Sequence, residues 1–193
     1  VLYFSDNGPN TNRYTGGMKG KKGSTDEGGI RSPMFIRWPN KLPAGHTVTQ
    51  ISAAIDLFPT LLSLTNVPRV GDKPLDGRDL SPLLKKESVT WDDRMLFSTW
   101  GGKFTVRTQQ YRLDAAGKLY DMVADPGQTT SVNEQQPALT TKLSAAANAW
   151  FNEVSANIPK KVKGTTVDQR PLDVGYQEFP ITMLPARDGE PMG

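Results

Sequence analysis

The sequence predicts an α/β chain: a strand, long loop, strand and helix, followed by a small antiparallel sheet with a helix of its own. Three observations carry this. The opening run Val1-Leu2-Tyr3-Phe4 is continuously apolar and ends in Ser5-Asp6-Asn7-Gly8, the composition of a strand buried on both faces and closed by a turn. Ile51, Ile55, Phe58 and Leu62 recur at helical spacing. Short strand-like runs between residues 95 and 113 are separated by Gly-Gly and Gln-Gln, and an amphipathic stretch follows them.

Residues 1–5 have the character of an interior strand, which needs neighbours on both sides. Residues 8–33 are Gly-rich and polar, a loop of the length that usually serves function when it lies inside a compact domain. Met34-Phe35-Ile36-Arg37-Trp38-Pro39 is a second strand ended by proline, and Lys41-Leu42-Pro43-Ala44-Gly45 turns the chain. Asp56 is placed to cap the next helix, and Pro59 falls in its first turn, where its missing N–H costs nothing. That helix spans residues 57–66, with Leu61 and Leu64 widening its buried stripe. A turn-rich linker then leads through Leu75-Asp76-Gly77-Arg78-Asp79-Leu80 to a short helical piece, Ser81-Pro82-Leu83-Leu84.

Met95–Trp100, Phe104–Arg107 and Tyr111–Leu113 form a meander. After Leu119-Tyr120-Asp121 and an Asp125-Pro126-Gly127 turn, Leu139, Leu143, Ala146, Trp150, Phe151 and Val154 mark an amphipathic helix over residues 137–154, which covers one face of the meander. Three segments follow from these elements. Residues 1–90 belong to an α/β domain, residues 91–154 to a small sheet-plus-helix subdomain, and residues 155–193, with little periodicity and many Pro and Gly, to an extended tail.

The 193 residues contain 18 Gly and 15 Pro, without the regular period of a fibrous protein. Cysteine is absent, which excludes disulfides, thiolate metal sites and a cysteine nucleophile within these residues. No run approaches the ~18 apolar residues of a membrane span, and no targeting segment is evident. The net charge is only +3, yet residues 1–50 hold seven Lys/Arg against three Asp/Glu. A local basic field of this kind suits a small anionic substrate. It does not suit nucleic acid, because no basic-aromatic periodicity or reading helix accompanies it.

The chemistry lies in the long loop. Asp6 and Asn7, at the end of the first strand, offer adjacent hard oxygen ligands, and Gly8 lets the backbone turn away from them. Two ligands do not fill the coordination shell of Ca²⁺, so a metal here requires more oxygens from elsewhere; an Asp-Asn-Gly turn without metal is the plainer reading of the same residues. Lys22 sits in Lys22-Gly23-Ser24-Thr25, where a point charge, close backbone approach and hydroxyl donors suit sulfate or phosphate oxygens. A flexible basic surface loop is the plainer reading of the same residues taken alone. Glu27 is placed to pair with Arg31 or with a loop N–H and so to fix the loop's shape. His46, the only histidine, follows a turn and is expected to be exposed. With neither a second histidine nor a cysteine, no zinc or Cys-His constellation is possible here, and no Gly-x-Ser-x-Gly elbow is present.

Taken in order, these phrases resemble a known family. Ser5-Asp6-Asn7-Gly8, then Met18-Lys19-Gly20-Lys21-Lys22-Gly23-Ser24-Thr25-Asp26-Glu27-Gly28-Gly29-Ile30-Arg31-Ser32-Pro33, and Ile36-Arg37-Trp38-Pro39 look like the C-terminal half of a type I sulfatase of a bacterial, arylsulfatase-like subgroup. Residues 54–62, 75–84 and 119–126 are similar to later phrases of that family. The resemblance implies an alkaline-phosphatase-like fold, hydrolysis of aryl or glycan sulfate esters, a formylglycine nucleophile and a bound Ca²⁺. It assigns Asp6 and Asn7 to the metal and Lys22 to catalysis, through contact with the substrate sulfate. The family's Cys-x-Pro/Ala-Ser-Arg segment, its early Asp-Asp pair and its catalytic histidines have no counterpart in these residues. The expectation is therefore a fragment that is inactive alone, partnered by a missing N-terminal half and placed in the periplasm or secreted. A phosphodiester or phosphonate hydrolase of the same superfamily and a non-catalytic anion-binding module are the alternatives.

Overall fold

Strand β1 (Leu2–Phe4) pairs antiparallel with β2 (Met34–Ile36), Leu2 opposite Ile36 and Phe4 opposite Met34, in a computed structural model that describes residues 1–156. The expected fully buried interior strand is corrected here. Tyr3 is 62% exposed and Phe35 65%, because β1 has one partner strand among the described residues; the two rings lie 6.2 Å apart. The inner side of the pair, Leu2 and Ile36, faces an apolar cleft shared with Leu57, Leu61 and Leu64. The intervening loop is more ordered than expected. It contains a 3₁₀ turn at Asn12–Tyr14 and one helical turn, α1 (Glu27–Ile30).

Helix α2 (Leu57–Thr65) ends where Asn66 adopts a left-handed φ of 55° and donates its N–H to the carbonyls of Leu62 and Ser63, the usual stop for a helix. The expected capping of α2 by the Asp56 carboxylate does not occur. That carboxylate turns back to accept the N–H of Ala53 at 2.8 Å, the N–H of Arg78 at 2.7 Å and Nη1 of Arg94 at 2.8 Å. Asp56 is fully buried, and a buried carboxylate demands this many donors. Thr60 Oγ1, one turn on, accepts the N–H of Leu80 at 2.9 Å and so docks α3 (Ser81–Leu84) against α2.

The remaining strands, β3 (Leu96–Trp100), β4 (Lys103–Arg107), β5 (Tyr111–Leu113) and β6 (Leu119–Asp121), form an antiparallel sheet in sequence order. β6 extends the expected three-stranded meander. The Asp114 carboxylate accepts the N–H groups of Ala116 and Lys118 at 2.9 Å and so closes the tight turn that brings β6 back beside β5. Helix α4 (Pro137–Ala156) packs Leu143 and Ala147 onto Val106, Leu113 and Leu119. Phe97 stacks on Trp150 at 5.1 Å and Phe104 on Phe151 at 4.5 Å. Each fully buried aliphatic side chain here contributes about 1.5–3 kcal/mol.

Strand periodicity sends alternate residues to the other face. Thr105, Arg107 and Arg112 lie there, and that face carries α1 and its loop. The sheet is thus sandwiched between α4 and the loop that holds the candidate chemistry. Residues 1–156 form one compact unit; residue 90, where the sequence suggests a boundary, lies between α3 and β3. The tail expected over 155–193 lies, from residue 157, outside the described residues. No helix among the described residues is long and apolar enough to cross a membrane.

Candidate functional site

The long loop is folded over Gly8, whose N–H donates to the carbonyl of Gly29 at 2.8 Å. A methyl group at Gly8 would stand 1.9 Å from the Gly28 carbonyl oxygen, far inside contact distance, so only glycine permits this crossing. One residue on, the Pro9 carbonyl accepts the N–H of Lys22 at 2.9 Å, and Gly28 donates to Lys19 O at 2.8 Å. Ser32 Oγ donates to Ser5 O at 2.8 Å. These bonds bring the two sequence motifs together through the backbone. Asp6-Asn7 follows β1 after Ser5, and the Lys22 N–H is pinned to Pro9, two residues beyond Asn7.

Asp6 is exposed, Asn7 half-buried and Lys22 exposed. Lys22 makes no ion pair among the described residues, whereas Lys19 reaches Asp114 at 3.2 Å and Asp26 at 3.5 Å. Burial opposes the charge on Lys19, but its hydrogen bond to Asp114 and the Asp26 charge outweigh this and raise its pKa above the ordinary value. Lys19 therefore latches the loop to the sheet, while Lys22 stands exposed without an ion pair among the described residues. The described residues hold no cluster of three or more His, Cys, Asp or Glu suited to a metal. Asp6 and Asn7 nonetheless fit Ca²⁺ as part of a site: both are oxygen donors, adjacent just past β1, one exposed and one half-buried, against the roughly six to eight oxygens the ion takes.

Beneath the loop lies a buried charge cluster that spacing did not reveal. Glu27 meets Arg112 at 3.1 Å, Arg107 at 3.5 Å and Arg31 at 3.5 Å, and its N–H donates to Gln128 Oε1 at 2.9 Å. Arg112, with no exposed surface, also donates to the Thr25 carbonyl and to Thr105 Oγ1. Burial lowers the pKa of both Arg107 and Arg112, and the Glu27 charge opposes that shift. The Glu27–Arg31 pair was legible from the sequence; the partners on the sheet were not. His46, by contrast, stands outside the site, with Nε2 2.8 Å from the Leu83 carbonyl.

The sulfatase family model matches residues 1–67, the segment containing β1, Asp6, Asn7 and Lys22. Mouse steryl-sulfatase is 38% identical over 93 residues, covering 47% of this chain and 15% of its own length. Human arylsulfatase A is 35% identical over 167 residues, covering 79% of this chain and 32% of that protein. The chain belongs to the sulfatase family. Its fold agrees: the crystal structure of Ps i-CgsB matches with a TM-score of 0.68 at 26% identity, over 78% of this chain and 36% of that one. The same protein in complex with k-i-k-neocarrahexaose gives a TM-score of 0.67 at 27% identity. The sheets and helices described above are thus part of the alkaline-phosphatase-like fold of sulfatases. This sulfatase chain spans less than half the length of the curated relatives it matches.

Proposed function

We propose that this chain supplies part of the Ca²⁺ site and the sulfate-contacting lysine of a sulfuric ester hydrolase. Asp6 and Asn7 provide two oxygen ligands, and Lys22 provides the positive charge that meets the sulfate. The observation that carries this reading is the Lys22 N–H to Pro9 O bond of 2.9 Å, which fixes an exposed, unpaired lysine beside the strand end bearing the two oxygen donors. Family membership supports it, because residues 1–67 hold all three side chains.

The chemistry follows from that placement. Charge redistributes over the sulfate and leaving-group oxygens as a sulfate ester is cleaved, and a preorganised cation at the sulfate lowers the barrier where it meets that charge. Lys22 is held from below by Lys19, Glu27 and the glycine crossing, so its backbone need not reorganise during the reaction. Asp6 and Asn7 would hold part of the shell of a Ca²⁺ ion, which when bound would supply Lewis-acid charge. The nucleophile in this reading is a formylglycine, and its cysteine precursor is not among the 193 residues; the N-terminal half of the enzyme provides it, and this chain alone does not turn over substrate. The likeness to a protein solved with a neocarrahexaose supports glycan sulfates beside aryl sulfates as substrates. The same reading places the enzyme in the periplasm or outside the cell.

The test is Lys22→Ala in the complete enzyme. Loss of one transition-state-stabilising charge lowers kcat for an aryl sulfate by roughly 10²–10³-fold, with the thermal unfolding midpoint unchanged. Turnover near the parent level would remove Lys22 from the reaction.

A further inference from the structure

Beside the Lys22 loop stands an aromatic side chain that neither the core nor the charge cluster uses. Trp100 ends β3 at the tip of the β3–β4 hairpin and is 65% exposed, whereas the neighbouring strand aromatics, Phe97 and Phe104, are stacked against α4. Alternation explains the difference. Phe97 and its partner Val106 face the helix, so Ser98 and Trp100, with their partners Thr105 and Lys103, face the loop. Thr105 confirms the direction through its hydroxyl bond to the Thr25 carbonyl.

The hairpin tip reaches the loop next to Lys22. A methyl group placed on Gly23 would lie 3.9 Å from the Trp100 indole nitrogen, which is ordinary contact distance, and Gly23 holds a φ of +85° that only glycine adopts without strain. The indole N–H has no hydrogen-bond partner among the described residues. A large flat apolar ring left in solvent beside a lysine without an ion pair has no structural task among the described residues. It matches what a ligand site needs: one charged group for orientation and one aromatic surface for contact area.

Resting on the reading of Lys22 as the sulfate contact, we propose that Trp100 is a substrate platform: it stacks against the ring that carries the sulfate, and so selects cyclic sulfate esters, sugar or aryl. Lys22 fixes the anion and Trp100 the ring, with Gly23 between them kept free of a side chain so that both reach one ligand. Trp100 acts on binding and not on bond cleavage.

The experiment uses the complete enzyme with Trp100→Ala, Trp100→Phe and, in parallel, Lys22→Ala. Three probes are measured: para-nitrophenyl sulfate, a sulfated galactose disaccharide, and inorganic sulfate as a ring-free competitive inhibitor. Trp100→Ala is expected to raise KM for a ring-bearing ester roughly tenfold, the scale of one lost stacking contact, with kcat and the inhibition constant of inorganic sulfate unchanged. Trp100→Phe retains most of the affinity. A KM rise for the disaccharide alone assigns the platform to sugars, and one for the nitrophenyl ester alone assigns it to aryl groups. Unchanged KM for both esters, or an inhibition constant that rises in parallel with KM, overturns the platform. If Lys22→Ala abolishes activity while Trp100→Ala does nothing, only the platform fails; if Lys22→Ala does nothing, the sulfate assignment fails as well.

Discussion

Arg112 Nη1 donates to Glu27 Oε2 at 3.1 Å across 85 residues of sequence, with both side chains buried. This pair joins the loop bearing Lys22 to the middle of the four-stranded sheet. Removing Arg112 strips Glu27 of its shortest ion pair and leaves it the 3.5 Å contacts to Arg107 and Arg31, a large part of the roughly 3–5 kcal/mol that a broken buried pair costs. Arg112→Met is therefore expected to lower the urea midpoint severely. Because the two side chains are in contact, Glu27→Leu combined with Arg112→Met should cost clearly less than the sum of the single changes. Additive losses in urea titrations would show that the pair is not coupled.

Gly8 makes the second commitment of the loop. Ala at this position puts a methyl group 1.9 Å from the Gly28 carbonyl oxygen, and neither backbone segment can yield without breaking the Gly8–Gly29 bond. Overpacking of this kind costs about 1–3 kcal/mol, and here the strain falls on the loop. Gly8→Ala is expected to expose residues 8–33 and to accelerate tryptic cleavage after Lys21 and Lys22. Cleavage at the parent rate would mean that the crossing is not tight.

Acid sensitivity is expected at the turn after β6. The Asp125 carboxylate accepts the N–H of Thr130 at 2.8 Å and that of Thr129 at 2.6 Å, and these bonds, Thr130 first, hold its pKa below the ordinary 3.8. A depressed carboxylate contributes stability that is present above its unfolded pKa and is lost as pH falls through the folded value. Asp125→Asn is therefore expected to lower the unfolding midpoint at neutral pH and to flatten its decline below about pH 4. Parallel pH profiles for the parent and the variant would contradict this.

Much of the fold was legible because its signals are local. The left-handed Asn66, Pro82 at the start of α3, Pro137 opening α4 and the Gly101-Gly102 hairpin each announce an element within a few residues. Asp6, Asn7 and Lys22 stand out as candidates for a similar reason, since each lies in a compact phrase. What the sequence hid depends on chain closure. Arg107 and Arg112 carry the alternation of exposed strand residues, and nothing local says that Glu27 arrives to bury them. Asp56 looked like a helix cap until Arg94, 38 residues away, claimed its carboxylate. α1 escaped because a four-residue turn containing Gly28 and Gly29 carries no period. The exposure of β1 escaped because an apolar run records what a strand prefers, not how many neighbours it meets.

The central claim is that Asp6 and Asn7 hold Ca²⁺ at the end of β1. Elemental analysis of the complete enzyme after exhaustive dialysis tests it most directly. With Asp6→Ala and Asn7→Ala combined, the bound calcium of the parent enzyme should be lost while the unfolding midpoint in chelator stays the same for both proteins. Calcium retained at the parent stoichiometry would contradict the assignment.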